Sequence, residues 1–388
     1  MSDAAMRHHV YFSPGIFGFG RLGSYNYFGH VERELTSRFA AAGHLLVAHV
    51  LEELPTASIR RRAIRLAEVV ERTAAPGDVI HLLGHSTGGV DARLVASPTT
   101  RSIPAASLTW LPRLRSVTTM NTPHYGTPLA SFFTTSEGQR VLAALSMLTV
   151  AGLSLGEQPL RASGVILGFL RQGGLAIPFK LLMLERSIDS MAGMVDDALC
   201  PEVRTFLSAL QDDQGSMLQL SPEAMDLVGV GIDDRSGVHY QTSVSMSPRP
   251  TPRNWVETLG HPWRALSLSL FFGLHHLTSR IGERYPCAAV EGATSVASPE
   301  CEDVLLRAFG RSPTLEDNDG VVPLRSQLWG NVVWAGVGDH LDVLGHFRDD
   351  RGDVAADVIH RDWLTSGSAF TRAKFGTLMD SIAAGMLA

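Results

Sequence analysis

The chain has 388 residues, which at about 150 residues per domain leaves room for two or three domains, or for one large α/β domain with an insertion. Apolar residues make up 45% and charged residues 19%, with 37 Gly and 20 Pro, which excludes a disordered tail, a coiled coil and a collagen-like repeat. The formal charge is -6 and no Lys/Arg-rich run interleaves with aromatics, so no nucleic-acid partner is expected.

Three cysteines, Cys200, Cys287 and Cys301, form no CxxC, and an odd count argues against a disulfide framework. Cys287 and Cys301 remain open as a pair should the protein be exported. The opening MSDAAMRHHV has no basic segment followed by an apolar one, and a strand-like run begins by His9. A cytoplasmic location is therefore expected, non-Sec export aside. The most apolar stretches, 141–155 and 164–170, are interrupted by Ser, Gly and Arg and fall short of the ~20 residues that span a bilayer.

Taken in order, strands are predicted at 9–13 (HVYFS), 45–51 (LLVAHVL), 78–84 (DVIHLLG) and 115–121 (RSVTTMN), alternating with helical patterns as βαβ units do. Between the second and third, 58–74 places Ile59, Ala63, Leu66 and Val70 on one helix face and arginines on the other. From 129 to 220 the pattern changes to apolar helical segments without strands, read as an inserted helical cap or lid on a core of 1–128 and 221–388. A strand candidate at 238–245 precedes a proline-rich stretch and a helical run at 263–277, a further excursion within 247–285. The clearest late strand is GNVVWAG at 330–336. The fold class expected is α/β, a mainly parallel sheet flanked by helices.

The strongest motif is Gly84-His85-Ser86-Thr87-Gly88-Gly89, a G-x-S-x-G between a buried strand and a helical pattern. A serine at a sharp strand-to-helix turn has a strained backbone, and Gly84 and Gly88 remove the Cβ atoms that would clash there. Ser86 is thus the candidate nucleophile, at a helix N-terminus that favours developing negative charge. It needs a base and an acid to orient that base.

In the order Ser, acid, His, the turn EDNDGVVP supplies Asp319 and the glycine-rich loop GVGDHLD supplies His340. Asp317 is the rival acid, otherwise a solvated turn carboxylate, and Asp339 is read as a loop cap. His346 and His360 are rival bases, otherwise solvated or capping, and His85 is read as packing. The oxyanion donors expected are the N–H groups of Thr87 and of Ile16, the latter in the loop after the first strand where Gly15 permits close approach. Gly18 to Gly23 reads G-x-G-x-x-G, but the sequence continues as loop, and no nucleotide cofactor is expected.

These residues resemble the α/β-hydrolase lipases, most closely the bacterial true-lipase group of Pseudomonas and Burkholderia. The blocks that carry it are PGIFGFGRLGSYNYFGHVERELTSRFAAAGH, GHSTGG, MNTPHYGTPLA, LQLSPEAMDL with GVHYQTSVS, and EDNDGVVP with DHLD, about 150 residues together. The resemblance implies a Ser86–His340–Asp319 triad, oxyanion donors at Ile16 and Thr87, and an acyl-ester or lipid substrate, with a transient lipid interface among its partners. The same triad would serve a phospholipase, a polyester depolymerase or an acyltransferase, and a non-catalytic binding protein on this scaffold is the reading from another class.

Two departures stand out. Where the family's oxyanion loop reads His-Gly, this chain has Pro14-Gly15. The family's structural calcium uses an acid two residues after the base, matched by Asp342, but the upstream ligand position reads Ser298-Pro299. Asp342 is left as calcium ligand or loop cap, and no cofactor is expected.

Overall fold

In a computed structural model, residues 6–16, 21–22, 25–52, 56–154, 162, 164–166, 190, 201, 215–280, 298–349 and 360–388 are described. Strand β1 (Arg7–Ser13) alternates sharply: Val10 and Phe12 face one apolar cluster and Tyr11 the other. A strand buried on both faces belongs at the centre of a layered α/β sheet. A two-residue antiparallel pair follows, β2 (Arg21–Leu22) with β3 (Tyr25–Asn26). Then come helix α1 (Gly29–Ala41), strand β4 (Leu45–Val50), helix α2 (Ile59–Thr73), strand β5 (Val79–His85), helix α3 (Thr87–Ala96) and strand β6 (Leu114–Met120).

Ser58 caps α2 by accepting a hydrogen bond from Arg61 N–H. One expectation for this helix fails. Not all of its arginines face solvent, because Arg62 is completely buried on the core side, beside Ala63 and Leu66. Asp91 of α3 neutralises it there.

Within 129–220 the described residues form α4 (Pro128–Phe133), α5 (Ser136–Ser154) and α6 (Gly215–Gln219), and the rest of that stretch lies almost wholly outside the described residues. There follow α7 (Pro222–Val230), strand β7 (His239–Met246), and, in the 247–285 stretch, α8 (Pro252–Glu257) and α9 (Pro262–Thr278). Helix α10 (Pro299–Phe309), strand β8 (Asn331–Val337) and helix α11 (Arg372–Leu387) complete the chain. No helix among the described residues is long and apolar enough to cross a membrane.

The six long strands form one parallel sheet in the order β4-β1-β5-β6-β7-β8. Each lies within two residues of its predicted range. Val31, Leu35 and Phe39 of α1 and Leu378 and Ile382 of α11 cover one face, with α9 joining the same cluster. Leu66 and Val70 of α2 and Ala92 and Val95 of α3 cover the other. The chain runs from β1 out to β4 and then crosses back to β5 on the other side of β1. The loops leaving β1 and β5 therefore diverge and open a crevice at the carboxyl edge of the sheet.

Candidate active site

Every candidate group sits on a loop or a helix start at that carboxyl edge. Ser13 at the end of β1 is in register with Gly84 near the end of β5. The oxyanion loop and the serine therefore leave the sheet side by side. Ser86 occupies the turn with φ 55 and ψ -127, a conformation non-glycine residues rarely adopt, and it is held there by its N–H donating to Met120 O at 2.9 Å. Crossing of strand and helix leaves no volume for side chains at the flanking glycines. A Cβ at Gly84 would lie 2.2 Å from the Gly88 main chain, and one at Gly88 would lie 1.9 Å from Ser13 O.

The loop after β1 folds directly over the serine. A Cβ at Gly15 would come within 2.8 Å of Ser86 Cβ and 3.3 Å of its Oγ. Ile16 follows in this loop, and Thr87 opens α3, where the first N–H groups have no intrahelical acceptor. Neither N–H donates to a backbone carbonyl among the described residues. The loop that carries Ile16 and the helix that Thr87 opens thus both adjoin Ser86.

The Pro14–Gly15 peptide of this loop is held at both its carbonyl and its N–H. Arg62 donates to Pro14 O from below, and Tyr27 Oη accepts from Gly15 N–H at 3.3 Å. Arg62 is itself fixed by Asp91 Oδ2, 2.8 Å away, which also accepts from Ser13 Oγ at 2.9 Å. Burial raises the Asp91 carboxyl above the usual range, and the guanidinium opposes that rise.

His340 lies in the loop after β8 and Asp319 in the turn docked against the end of β7, through Ser247 N–H to Asn318 O at 2.9 Å. His340 Nδ1 donates to Asp319 Oδ2 at 2.7 Å, and both side chains are buried. The His340 N–H also donates to Asp319 O, at 3.0 Å. The carboxylate is saturated: Oδ1 accepts from Val321 N–H and Val322 N–H, and Oδ2 from Asn121 Nδ2 at 2.8 Å and Gln327 Nε2 at 3.2 Å. Five donors hold it as an acceptor for the imidazole. His340 stands beside the serine elbow, its ring 4.7 Å from that of His85. No hydrogen bond links Ser86 Oγ to His340, a contact that commonly tightens only when substrate is bound.

Among solved structures, the chain is similar to lipase 1 from Pelosinus fermentans, with TM-score 0.50 and 15% identity over 97% of this chain and 98% of that one. It is equally similar to a metagenomic carboxyl esterase, with TM-score 0.50 and 13% identity over 100% of this chain and 77% of the other. No family model and no curated sequence matches. Such identities speak to fold alone, and the fold agrees with the sheet order and the elbow. The chain has an α/β-hydrolase fold.

Within this hydrolase fold the rival groups fall elsewhere. Asp317 is engaged at the surface by Arg311, at 2.6 Å, and by Thr314. Asp339 caps its loop, accepting from Leu341 and Asp342 N–H. Of the solvated or capping roles read from sequence, His346 has no solvated one, being buried, while the partly buried His360 bonds the carbonyl of Gly345, which caps the 342–344 turn. The His346 ring is buried and hydrogen-bonded to the Tyr27 main chain, while His360 Nδ1 donates to Gly345 O at 2.7 Å and the ring stacks on His30. Their ring neighbours, His30 and Phe375 among them, lie far apart in sequence, so local surroundings alone could not assign them.

Three residues had no role from sequence. Asn121, at the end of β6 with φ 47, and Gln327 both bind Asp319. Tyr27 meets the serine loop. Only the positive φ that Asn tolerates could have hinted at Asn121, and a strand-end asparagine is too common to read alone.

Among the described residues the implied calcium position is not completed. Ser298 caps α10, accepting from Cys301 N–H at 3.3 Å, and Asp342 Oδ2 accepts from Asp339 N–H and Ser368 Oγ. Among the described residues no group of three or more His, Cys, Asp or Glu is arranged to hold a metal ion. Much of the G-x-G-x-x-G segment, together with Cys200 and Cys287, lies outside the described residues; the helix after that segment starts only at Gly29.

Proposed function

We propose that the chain is a serine carboxylic ester hydrolase, a lipase or esterase working through an acyl-enzyme on Ser86. The observation that carries this is the buried His340–Asp319 hydrogen bond brought to the carboxyl edge where Ser86 sits in its strained turn. His340 takes the Ser86 proton as Oγ attacks the ester carbonyl, then returns it to the leaving alcohol. The N–H groups of Ile16 and Thr87 receive the developing oxyanion. Water attacks the acyl-enzyme with His340 again as base, and Asp319 keeps the imidazole protonated at Nδ1 so that Nε2 is free to act.

The substrate side is apolar. Ile16 packs against the cluster that includes Leu129, Phe133, Leu142 and Leu145 of α4 and α5. We read 129–220 as a helical cap whose leucines wall the acyl side of the site. Exposed Leu218 and Leu227 on α6 and α7 support contact with a lipid interface. The narrower kinship to true lipases rests on the sequence blocks.

The test is hydrolysis of p-nitrophenyl esters from acetate to palmitate. Ser86→Ala and Asp319→Asn should each lower kcat by about 10⁴-fold or more. Full activity in Ser86→Ala, or no turnover by the wild type, would end the reading.

A further inference from the structure

We propose that Tyr27 and His85 are positioning residues that lock the oxyanion loop to the loop of the catalytic base, an inference that rests on the hydrolase reading. Three contacts form an unbroken line. Gly15 N–H lies 3.3 Å from Tyr27 Oη, Tyr27 Oη lies 2.8 Å from His85 Nδ1, and His85 Nε2 lies 2.8 Å from His340 O.

The chemistry of the ends fixes the direction of every bond between them. A carbonyl oxygen only accepts, so the proton of His85 is on Nε2. Complete burial, with the His340 ring beside it, keeps His85 neutral well below its ordinary range, so Nδ1 is a bare acceptor. Tyr27 must then donate to Nδ1, and its remaining lone pair accepts from Gly15 N–H. The phenol cannot ionise to break this pattern, because burial raises it far above neutrality.

Each end is a part of the proposed machinery whose position decides the rate. Gly15 precedes Ile16, so its peptide orientation sets that of the next N–H. At the other end the His340 peptide is gripped on both sides, by Asp319 O on its N–H and by His85 on its carbonyl. The His346 ring, hydrogen-bonded to the Tyr27 main chain, adds a second tie between the same two loops. A side chain that merely fills space needs no fixed donor direction, whereas this line has one at every link.

The variants are Tyr27→Phe, His85→Gln and His85→Leu in the full chain, assayed on p-nitrophenyl butyrate and by histidine 15N NMR. Glutamine presents an amide N–H toward His340 and an oxygen toward Tyr27, and leucine presents neither. Tyr27→Phe and His85→Leu should lower kcat about tenfold to thirtyfold with KM little changed, as loss of one positioning hydrogen bond predicts, while His85→Gln recovers most of it. The His340 Nδ1–H resonance should shift in Tyr27→Phe although residue 27 does not touch that ring. Wild-type kcat and an unmoved His340 resonance in Tyr27→Phe would overturn the relay, as would equal kcat in His85→Gln and His85→Leu. Should His85→Leu fail to fold, Tyr27→Phe decides alone. A wild type without ester turnover whose His340 resonance still responds to Tyr27→Phe would sink the hydrolase reading and uphold the relay.

Discussion

Gly15 lies against Ser86 so closely that a single methyl group would not fit between them, its carbon falling 2.8 Å from Ser86 Cβ and 3.0 Å from Tyr27 Oη. The two residues are 71 positions apart (86 - 15) and meet because β1 and β5 are paired in register. Function and folding separate at this contact and the one beneath it.

Gly15→Ala pushes the loop off the serine, and side chains can yield to it. We expect kcat to fall about a hundredfold, the scale of one misplaced oxyanion donor, with the fold retained. Gly88→Ala places its methyl 1.9 Å from Ser13 O, backbone against backbone, and should not give a stable protein. Ester kinetics and thermal unfolding of the two variants check this. Equal activity in Gly15→Ala and wild type would remove the loop from the oxyanion role.

Arg62 and Asp91 are both completely buried, so removing one partner strands a charge. Arg62→Met or Asp91→Leu should each cost about 3–5 kcal/mol in denaturant unfolding, and the double variant should regain much of it. Activity should follow a different course. Pro14 O has no donor in either Arg62→Met or the double variant, so kcat should stay low even where stability returns. Recovery of both together would make Arg62 a purely structural residue.

Burial lowers His8 to about 4 and His81 to about 3, where they bond each other at 2.9 Å, with His44 and Ser116 beyond and Arg115 adding to the depression. Folded-state values below the unfolded 6.5 mean the unfolded chain binds more protons. Their contribution is complete above pH 6.5 and is lost as pH falls toward 3 to 4. Asp339 and Asp362, raised to about 6 and about 7, act in the opposite sense but are common to wild type and His81→Gln. The stability difference between the two proteins should therefore change by about 1.4 kcal/mol per pH unit for each proton removed from the linkage, measured by urea unfolding from pH 8 to pH 4. Parallel curves would contradict it.

Local regularities in this chain were legible because their causes are local. Short strand-like runs such as HVYFS, the apolar face of 58–74, and the glycines around Ser86 each follow from strand propensity, helix period or the close crossing of strand and helix, and the six strands and the elbow lie where these rules put them. Chain order and loop chemistry alone selected Asp319 and His340, and the fold brings them 2.7 Å apart. What pattern could not decide was partnership across the sheet. Arg62 reads as a solvent-facing arginine until Asp91 comes to meet it, His85 and His346 read as packing or solvated rings until Tyr27 is found between them, and Asn121 gains its purpose only when Asp319 docks at the neighbouring strand end. A buried polar group is stable only with its hydrogen-bond partner, and that partner is chosen by tertiary contact between residues far apart in the chain.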